Sequence, residues 1–229
     1  MNTRDLLTRV DAFETFIQES SNATAFLESW GINHSGKKAI GEYVAANMID
    51  QGVLVLDAGS TSYEVAKSIA YKNEGNTGLR ILTNNIPALL VLMLAGIDCS
   101  LIGGQLDPLH FCTLPGLENA VFADSMGTEE WTAIVTAASL KFSDTGISVL
   151  ARRPDQFAFK GLLLETAAKK IVLIDHTKWH LPFDGQYSFE LTGTKIDFVV
   201  DRLLQDSTED SDFADAIHRC GYCLHIVNT

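Results

Sequence analysis

The stretch VLVLDAGSTSYEVAKSIA, residues 53–70, decides the fold of this chain. Four apolar residues end on Asp57, a Gly-Ser-Thr corner follows, and a helical pattern begins immediately after it. In open α/β sheets, ligands bind outside the carboxyl ends of the strands, and this corner is such a place. Gly59 permits a tight turn and a close approach of the backbone to a ligand. The stretch therefore predicts a buried strand, a ligand-binding corner and a helix.

The corner has the chemistry of an anion site. Ser60 and Thr61 bring hydroxyl and N–H groups to the first helical turn, whose unsatisfied donors and positive dipole end suit phosphate. Ser and Thr are also common helix caps, and on composition alone an ordinary cap explains the corner better. Asp57 likewise has two explanations: a catalytic base, or a carboxylate that accepts N–H bonds and fixes the loop.

Short apolar runs alternate with helical patterns along the rest of the chain. This alternation predicts right-handed crossovers and a mostly parallel, Rossmann-like α/β sheet with helices on both faces. The predicted strands are residues 53–57, 79–83, 98–103, 131–137, 170–175, 195–201 and 222–227. The predicted helices between them are residues 61–71, 86–96, 116–127, 154–168 and 210–221.

The N-terminal segment has helical patterns without intervening strands. Apolar residues recur at helical spacing over residues 5–18, a second short helix ends near Gly31, and a third runs from about residue 37 to residue 50. We therefore predict a helical N-terminal extension, residues 1–35, and one α/β domain, residues 36–229.

Composition excludes several classes of protein. Seventeen basic residues stand against 29 acidic ones, a net charge of −12, which argues against a broad nucleic-acid footprint. No apolar run reaches the roughly 18 residues of a membrane span, and the N-terminus lacks the apolar region of a signal peptide. These features predict a soluble cytoplasmic protein that contacts no membrane.

One cluster of soft side chains near the C-terminus requires a choice. His218, Cys220, Cys223 and His225 lie within eight residues, and Cys-x-x-Cys is a zinc spacing. Structural zinc sites usually join two separated ligand pairs, and free Cys is commonly a small core residue. We therefore predict a helix ending at Gly221 and a closing strand, with no metal and no cofactor.

Small or polar groups also follow the next two predicted strands. Asn84 and Asn85 follow the second strand, and Gly103 and Gly104 follow the third. Each signal has an ordinary explanation, an Asn cap or a turn. Three consecutive strand ends of this kind predict a shared crevice at one edge of the sheet.

The order of these motifs resembles a known family. DAGST, LTNN, LIGGQL, a helix carrying Lys160, and IDHTKW occur in the order found in the C-terminal sensor domain of DeoR-family sugar-metabolism repressors. That domain belongs to the wider group of ribose-5-phosphate isomerase, glucosamine-6-phosphate deaminase and CoA transferases. The resemblance covers about residues 36–229 and implies a homo-oligomer that binds a phosphorylated sugar or related metabolite. The positions that match the family's ligand-binding residues are Asp57, Gly59, Ser60, Thr61, Asn84, Gly103, Gly104, Lys160, Asp175 and Lys178.

The chain departs from the family pattern in two places. The repressors carry an N-terminal winged helix-turn-helix, whereas the first 35 residues here offer no basic recognition helix. We predict no direct DNA binding by this chain and a helical cap or dimerisation arm instead. The related isomerase uses an Asp-rich loop after the fourth strand, where this chain has Ala138 or Ser139.

Three classes of function remain open on the sequence. The first is a non-catalytic sensor that regulates carbohydrate metabolism, with no catalytic residue. The alternatives are a sugar-phosphate isomerase or related enzyme, and a structural or regulatory subunit. We favour the sensor.

Lys160 lies on an otherwise apolar helix, where it either contacts the bound anion or extends to solvent.

Overall fold

The computed structural model describes residues 3–20, 22–49, 51–72, 78–116, 130–142, 146–151, 154–178, 188–191, 196–201 and 208–227. The helices within these ranges are α1 Thr3–Gln18, α2 Thr24–Gly31, α3 His34–Asn47, α4 Ser60–Lys72, α5 Ile86–Leu94, α6 Pro154–Thr166 and α7 Thr208–Arg219. The strands are β1 Gly52–Leu56, β2 Leu79–Thr83, β3 Cys99–Leu101, β4 Gln105–Asp107, β5 Cys112–Leu114, β6 Trp131–Thr136, β7 Ser139–Phe142, β8 Ile147–Leu150, β9 Lys169–Ile174, β10 Ser188–Glu190, β11 Ile196–Val200 and β12 Cys223–Ile226.

Seven of the described strands form one parallel sheet in the order β12-β11-β9-β6-β1-β2-β3. These are the seven strands predicted from the sequence, so the predicted α/β fold is confirmed. The chain runs outward from β1 through β2 and β3, and then returns to β6 on the other side of β1. Strand order therefore reverses between β1 and β6, and ligands in open α/β sheets bind at such a reversal.

Helices cover both faces of the sheet, as the continuous apolar strands predict. Leu54 and Leu56 of β1 pack in one core with residues of α1 to α5, while Val53 and Val55 pack in a second core on the opposite face. Residues of α6 and α7 complete the second core, among them Phe159, Leu163, Phe213 and Ile217.

The N-terminal helices are part of the first core. Their buried residues share it with the sheet: Leu6, Val10 and Ile17 from α1, Phe26 and Trp30 from α2, and Ile40 and Val44 from α3. The helical character of this segment is thus confirmed. The division of the chain at residue 35 stays a prediction.

Some local structure differs from the predictions. A β4–β5 hairpin and a three-stranded antiparallel sheet, β10-β8-β7, were not predicted, because strands of three or four residues are too short to show periodicity. The helix predicted for residues 116–127 lies almost wholly outside the described residues.

The C-terminal cluster of Cys and His residues also differs from the prediction. Cys223 is exposed, so its interpretation as a core residue is wrong. The His225 ring nitrogens lie 3.0 Å from Tyr43 Oη and 3.2 Å from Asp197 Oδ1. No helix in the described ranges has both the length and the apolar character needed to span a membrane.

Candidate ligand-binding site

A cavity of about 80 Å³ lies where strand order reverses. Ala58, Gly59 and Ser60, which follow β1, form one side of it. Thr136 at the end of β6 and the following Ala137 and Ala138 form another. Further walls come from α2, from α6, from the loop between β4 and β5, and from the turn after β9. The cavity therefore occupies the position at which doubly wound sheets bind ligands.

Gly59 is required at this corner for two reasons. Its φ of +140° is strained for any other residue, and a Cβ at this position would lie 2.7 Å from Thr136 Oγ1. Neighbouring side chains hold the corner in place: Asn85 Nδ2 donates to the Gly59 carbonyl at 2.9 Å, and Thr136 Oγ1 donates to the Ala58 carbonyl at 2.9 Å. The chain thus leaves β1 along a rigid path beside β6.

Helix α4 begins at the cavity. The Gly59 carbonyl accepts the Tyr63 N–H at 3.0 Å, so Ser60 and Thr61 occupy the first helical positions. The Ser60 hydroxyl lies 3.0 Å from Ser29 Oγ on α2, and the buried Thr61 hydroxyl has no hydrogen-bond partner among the described residues. Neither hydroxyl caps the helix, so the ordinary-cap explanation is not supported. The N–H groups of this first turn have no helical acceptor, and the dipole favours an anion there.

Lys160 of α6 is buried against the floor of the cavity. It is 4 % exposed, which shows that the solvent-reaching alternative is wrong. Its ammonium group forms an ion pair with Asp57 and donates to the Thr136 carbonyl at 2.8 Å and to Thr136 Oγ1 at 3.3 Å. These contacts tie the strand end of β1 to the strand end of β6 through α6.

A second lysine–aspartate group follows β9. Asp175 Oδ2 lies 3.2 Å from Lys178 Nζ and 3.7 Å from Lys37 Nζ, and Lys178 lines the cavity. Burial by itself raises the pKa of Asp175, but Lys178 and Lys37 together bring it below its ordinary value. Burial lowers the pKa of Lys37 to about 8, against the opposing attraction of Asp175.

The structure brings some of the ten predicted residues together and separates others. Gly59, Ser60, Lys160 and Lys178 line the cavity, while Asp57 and Asp175 hold the two lysines. The remaining four do not line it. Asn84 Nδ2 donates to the Thr113 carbonyl at 3.0 Å, and Thr61 lies within the buried first turn of α4. Gly103 and Gly104 connect β3 to β4, where a Cβ at Gly104 would overlap the Leu114 carbonyl.

Sequence reasoning missed several residues that line the cavity. Ala25, Phe26 and Ser29 come from α2, which was assigned to the N-terminal extension. His110 comes from the β4–β5 loop, where its Nδ1 lies 2.8 Å from Asp107 Oδ2, and Gln156 comes from α6. The hexapeptide LDPLHF carries a local signal, since Asp107 accepts the backbone N–H groups of Leu109 and His110 in a side-chain-capped turn. No sequence motif marks the α2 residues.

The chain matches a known protein family over most of its length. A family model described as the DeoR C terminal sensor domain matches residues 32–183. The chain belongs to this family. The matched segment of the sensor domain contains every strand end that borders the cavity, whereas α1 and α2 precede it. The family resemblance predicted from DAGST, LTNN and IDHTKW is thereby confirmed over residues 32–183, and its predicted extent to residue 229 stays a prediction.

Some solved structures are similar to this chain at low sequence identity and with TM-scores below 0.5. Ribose 5-phosphate isomerase A from Methanocaldococcus jannaschii is 13 % identical, with a TM-score of 0.45, over 64 % of this chain and 55 % of that one. Ribose 5-phosphate isomerase from Plasmodium falciparum is 13 % identical, with a TM-score of 0.41, over 63 % and 52 %. eIF2B delta from Chaetomium thermophilum is 14 % identical, with a TM-score of 0.40, over 72 % and 55 %. The matches span about half the length of these proteins. No curated protein matches the chain.

Proposed function

We propose that this chain binds a phosphorylated sugar, or a related phosphorylated metabolite, and serves as a regulatory sensor of carbohydrate metabolism. One observation carries the proposal: the first turn of the buried helix α4 borders a cavity that Lys160 and Lys178 also line. Helix N-termini bind phosphate through free N–H groups and the dipole, and lysine adds a point charge. Membership of the DeoR sensor family supports this ligand class.

The same site supports binding without turnover. Isomerisation of a sugar phosphate needs a general base within hydrogen-bond reach of a carbon-bound proton. Asp57 is held in an ion pair with Lys160, and Ala137 and Ala138 line the cavity on the β6 side. Methyl groups at that wall supply no base where the related isomerase has its Asp-rich loop, which favours binding without turnover.

Isothermal titration calorimetry tests the ligand class. The titrants are ribose 5-phosphate, glucose 6-phosphate and fructose 6-phosphate, each paired with its free sugar. We expect the phosphate esters to bind far more tightly, and Ser60→Asp to abolish binding because it places a negative charge at the anion position. Thr8→Asp adds the same charge on the exposed face of α1 and should leave binding unchanged. Equal affinity for ester and free sugar would contradict the proposal.

We further propose that the sensor is a homo-oligomer and acts on transcription without binding DNA itself. The net charge of −12 supports the second part, since specific DNA binding needs clustered Lys and Arg. Sedimentation equilibrium tests the oligomer, and a monomer at all concentrations would contradict it.

A gel shift at moderate salt tests DNA binding. Sequence-specific retention by this chain alone would contradict that part.

A further inference from the structure

The N-terminal helix α2 supplies a side chain at the anion site. We propose that Ser29 of α2 is a ligand-binding residue, so that the N-terminal helices form part of the effector site and are held in place by the bound anion. This inference rests on the proposed function and extends it to a segment before the family match, which begins at residue 32.

Ser29 lies beside Ser60, the first residue of helix α4 at the proposed anion site. Ala25, Phe26 and Ser29 occupy one face of α2, at positions i, i+1 and i+4, and all three line the cavity. Ser29 Oγ is 3.0 Å from Ser60 Oγ. A hydroxyl group has one donor and two acceptor sites, so both can donate to an anion that takes up several hydrogen bonds. A phosphate oxygen bound to Ser60 is therefore within reach of Ser29.

Buried contacts fix the position of Ser29. Its neighbour Trp30 donates from Nε1 to Glu64 Oε1 of α4 at 2.7 Å. The Phe26 and Trp30 rings pack edge-on against Tyr63 of α4, with centroid distances of 5.9 Å and 5.7 Å. Because α2 is anchored on the helix that begins at the anion site, the Ser29 hydroxyl is preorganised and loses little freedom when it binds a ligand.

A second set of contacts connects the backbone carbonyl of Ser29 to the cavity through charged side chains. The Ser29 carbonyl accepts Lys37 Nζ at 2.7 Å, and Lys37 Nζ lies 3.7 Å from Asp175 Oδ2. Asp175 in turn lies 3.2 Å from Lys178, which lines the cavity. An anion that attracts Lys178 competes with Asp175 for that ammonium group. The bound state is therefore connected to α2 through both the hydroxyl and the carbonyl of Ser29.

The role in binding differs measurably from a role in folding. In the free chain, Ser29→Ala removes one half-buried hydrogen bond between two neutral hydroxyls. In the complex it removes a bond to a charged group, which is stronger. We therefore expect Ser29→Ala to keep the urea midpoint close to that of the wild type and to weaken anion binding by about ten- to a hundred-fold.

The experiment combines calorimetry with hydrogen exchange on the full chain. The probes are inorganic phosphate, ribose 5-phosphate and glucose 6-phosphate. Ser29→Ala should weaken the binding of each probe, Ser29→Thr, which keeps the hydroxyl, should restore most of the affinity, and Thr24→Ala, which removes an exposed hydroxyl from the same helix, should change nothing. In the wild type, a saturating probe should slow amide exchange across residues 24–31, and Ser29→Ala, which keeps the carbonyl contact with Lys37, should reduce that slowing.

The experiment distinguishes a failure of the proposed role of Ser29 from a failure of the proposed function. A wild-type chain that binds a phosphorylated probe, with Ser29→Ala binding it equally well, overturns the role of Ser29 and leaves the proposed function intact. Hydrogen exchange on the wild type needs no variant, and unchanged exchange in α2 on binding overturns the inference in the same way. A wild-type chain that binds none of the probes overturns the proposed function, and this inference with it.

Discussion

Replacing Lys160 by methionine tests the buried ion pair on which the site is built. Lys160 is 4 % exposed and Asp57 is 2 % exposed, so neither charge is hydrated in the folded chain. Methionine fills a similar volume but leaves Asp57 without its cationic partner. Removing one partner of a buried pair costs about 3–5 kcal/mol, because an uncompensated charge stays in the interior.

The loss is measurable by urea unfolding. With an m-value of about 2–3 kcal/mol per molar, it lowers the midpoint by roughly 1–2 M. The control is the double variant Asp57→Asn/Lys160→Met, which removes both charges and should regain part of the stability, because no uncompensated charge stays in the interior. Phosphate-ester binding should be weaker in both variants, because both lack the lysine that lines the cavity.

Two outcomes would contradict a buried ion pair between Asp57 and Lys160. If Lys160→Met loses less than about 1 kcal/mol, the value typical of an exposed pair, the two charges are solvated in solution. If the double variant is no more stable than Lys160→Met, the loss does not come from an unpaired Asp57. Either result would refute the description of this pair as the buried connection between β1, β6 and α6.

Three further predictions concern the corner, a buried lysine and catalysis. Gly59→Ala should destabilise the chain by about 1–3 kcal/mol, because the φ of Gly59 is positive. Gly31→Ala is the control, since an added Cβ at Gly31 meets no other atom and should not destabilise the chain. Equal effects of the two substitutions in urea unfolding would contradict the prediction. Lys37 is protonated in the unfolded chain up to about pH 10.4 but loses its proton near pH 8 when folded, so the unfolded state binds more protons between these values. The free energy of unfolding of the wild type should therefore rise with pH from about 8 to 9.5 relative to Lys37→Met, and a flat difference would show that Lys37 has its ordinary pKa. Mass spectrometry in deuterated water should detect no protein-dependent exchange of the C2 proton of ribose 5-phosphate or glucose 6-phosphate, and incorporation would favour the isomerase alternative.

The sequence alone determined the strands of the main sheet and the family. The five inner strands β11, β9, β6, β1 and β2 are largely buried on both faces, so most of their residues must be apolar over five or six positions. The tight turn at Gly59 was also predicted from the sequence, because a positive φ and a close approach to another strand leave room only for glycine. These are local requirements, and a local pattern records them.

Only the tertiary structure decided which residues share the cavity. Asp57 and Lys160 are separated by 103 positions and meet because β6 returns beside β1, which places α6 over both strand ends. Ser29 and Ser60 are 31 positions apart and meet because α2 packs on the helix that starts at the corner. Neither partner carries a local signal of the other. Strand order and helix packing determine such pairs, and neither property is encoded in the spacing of apolar residues along the chain.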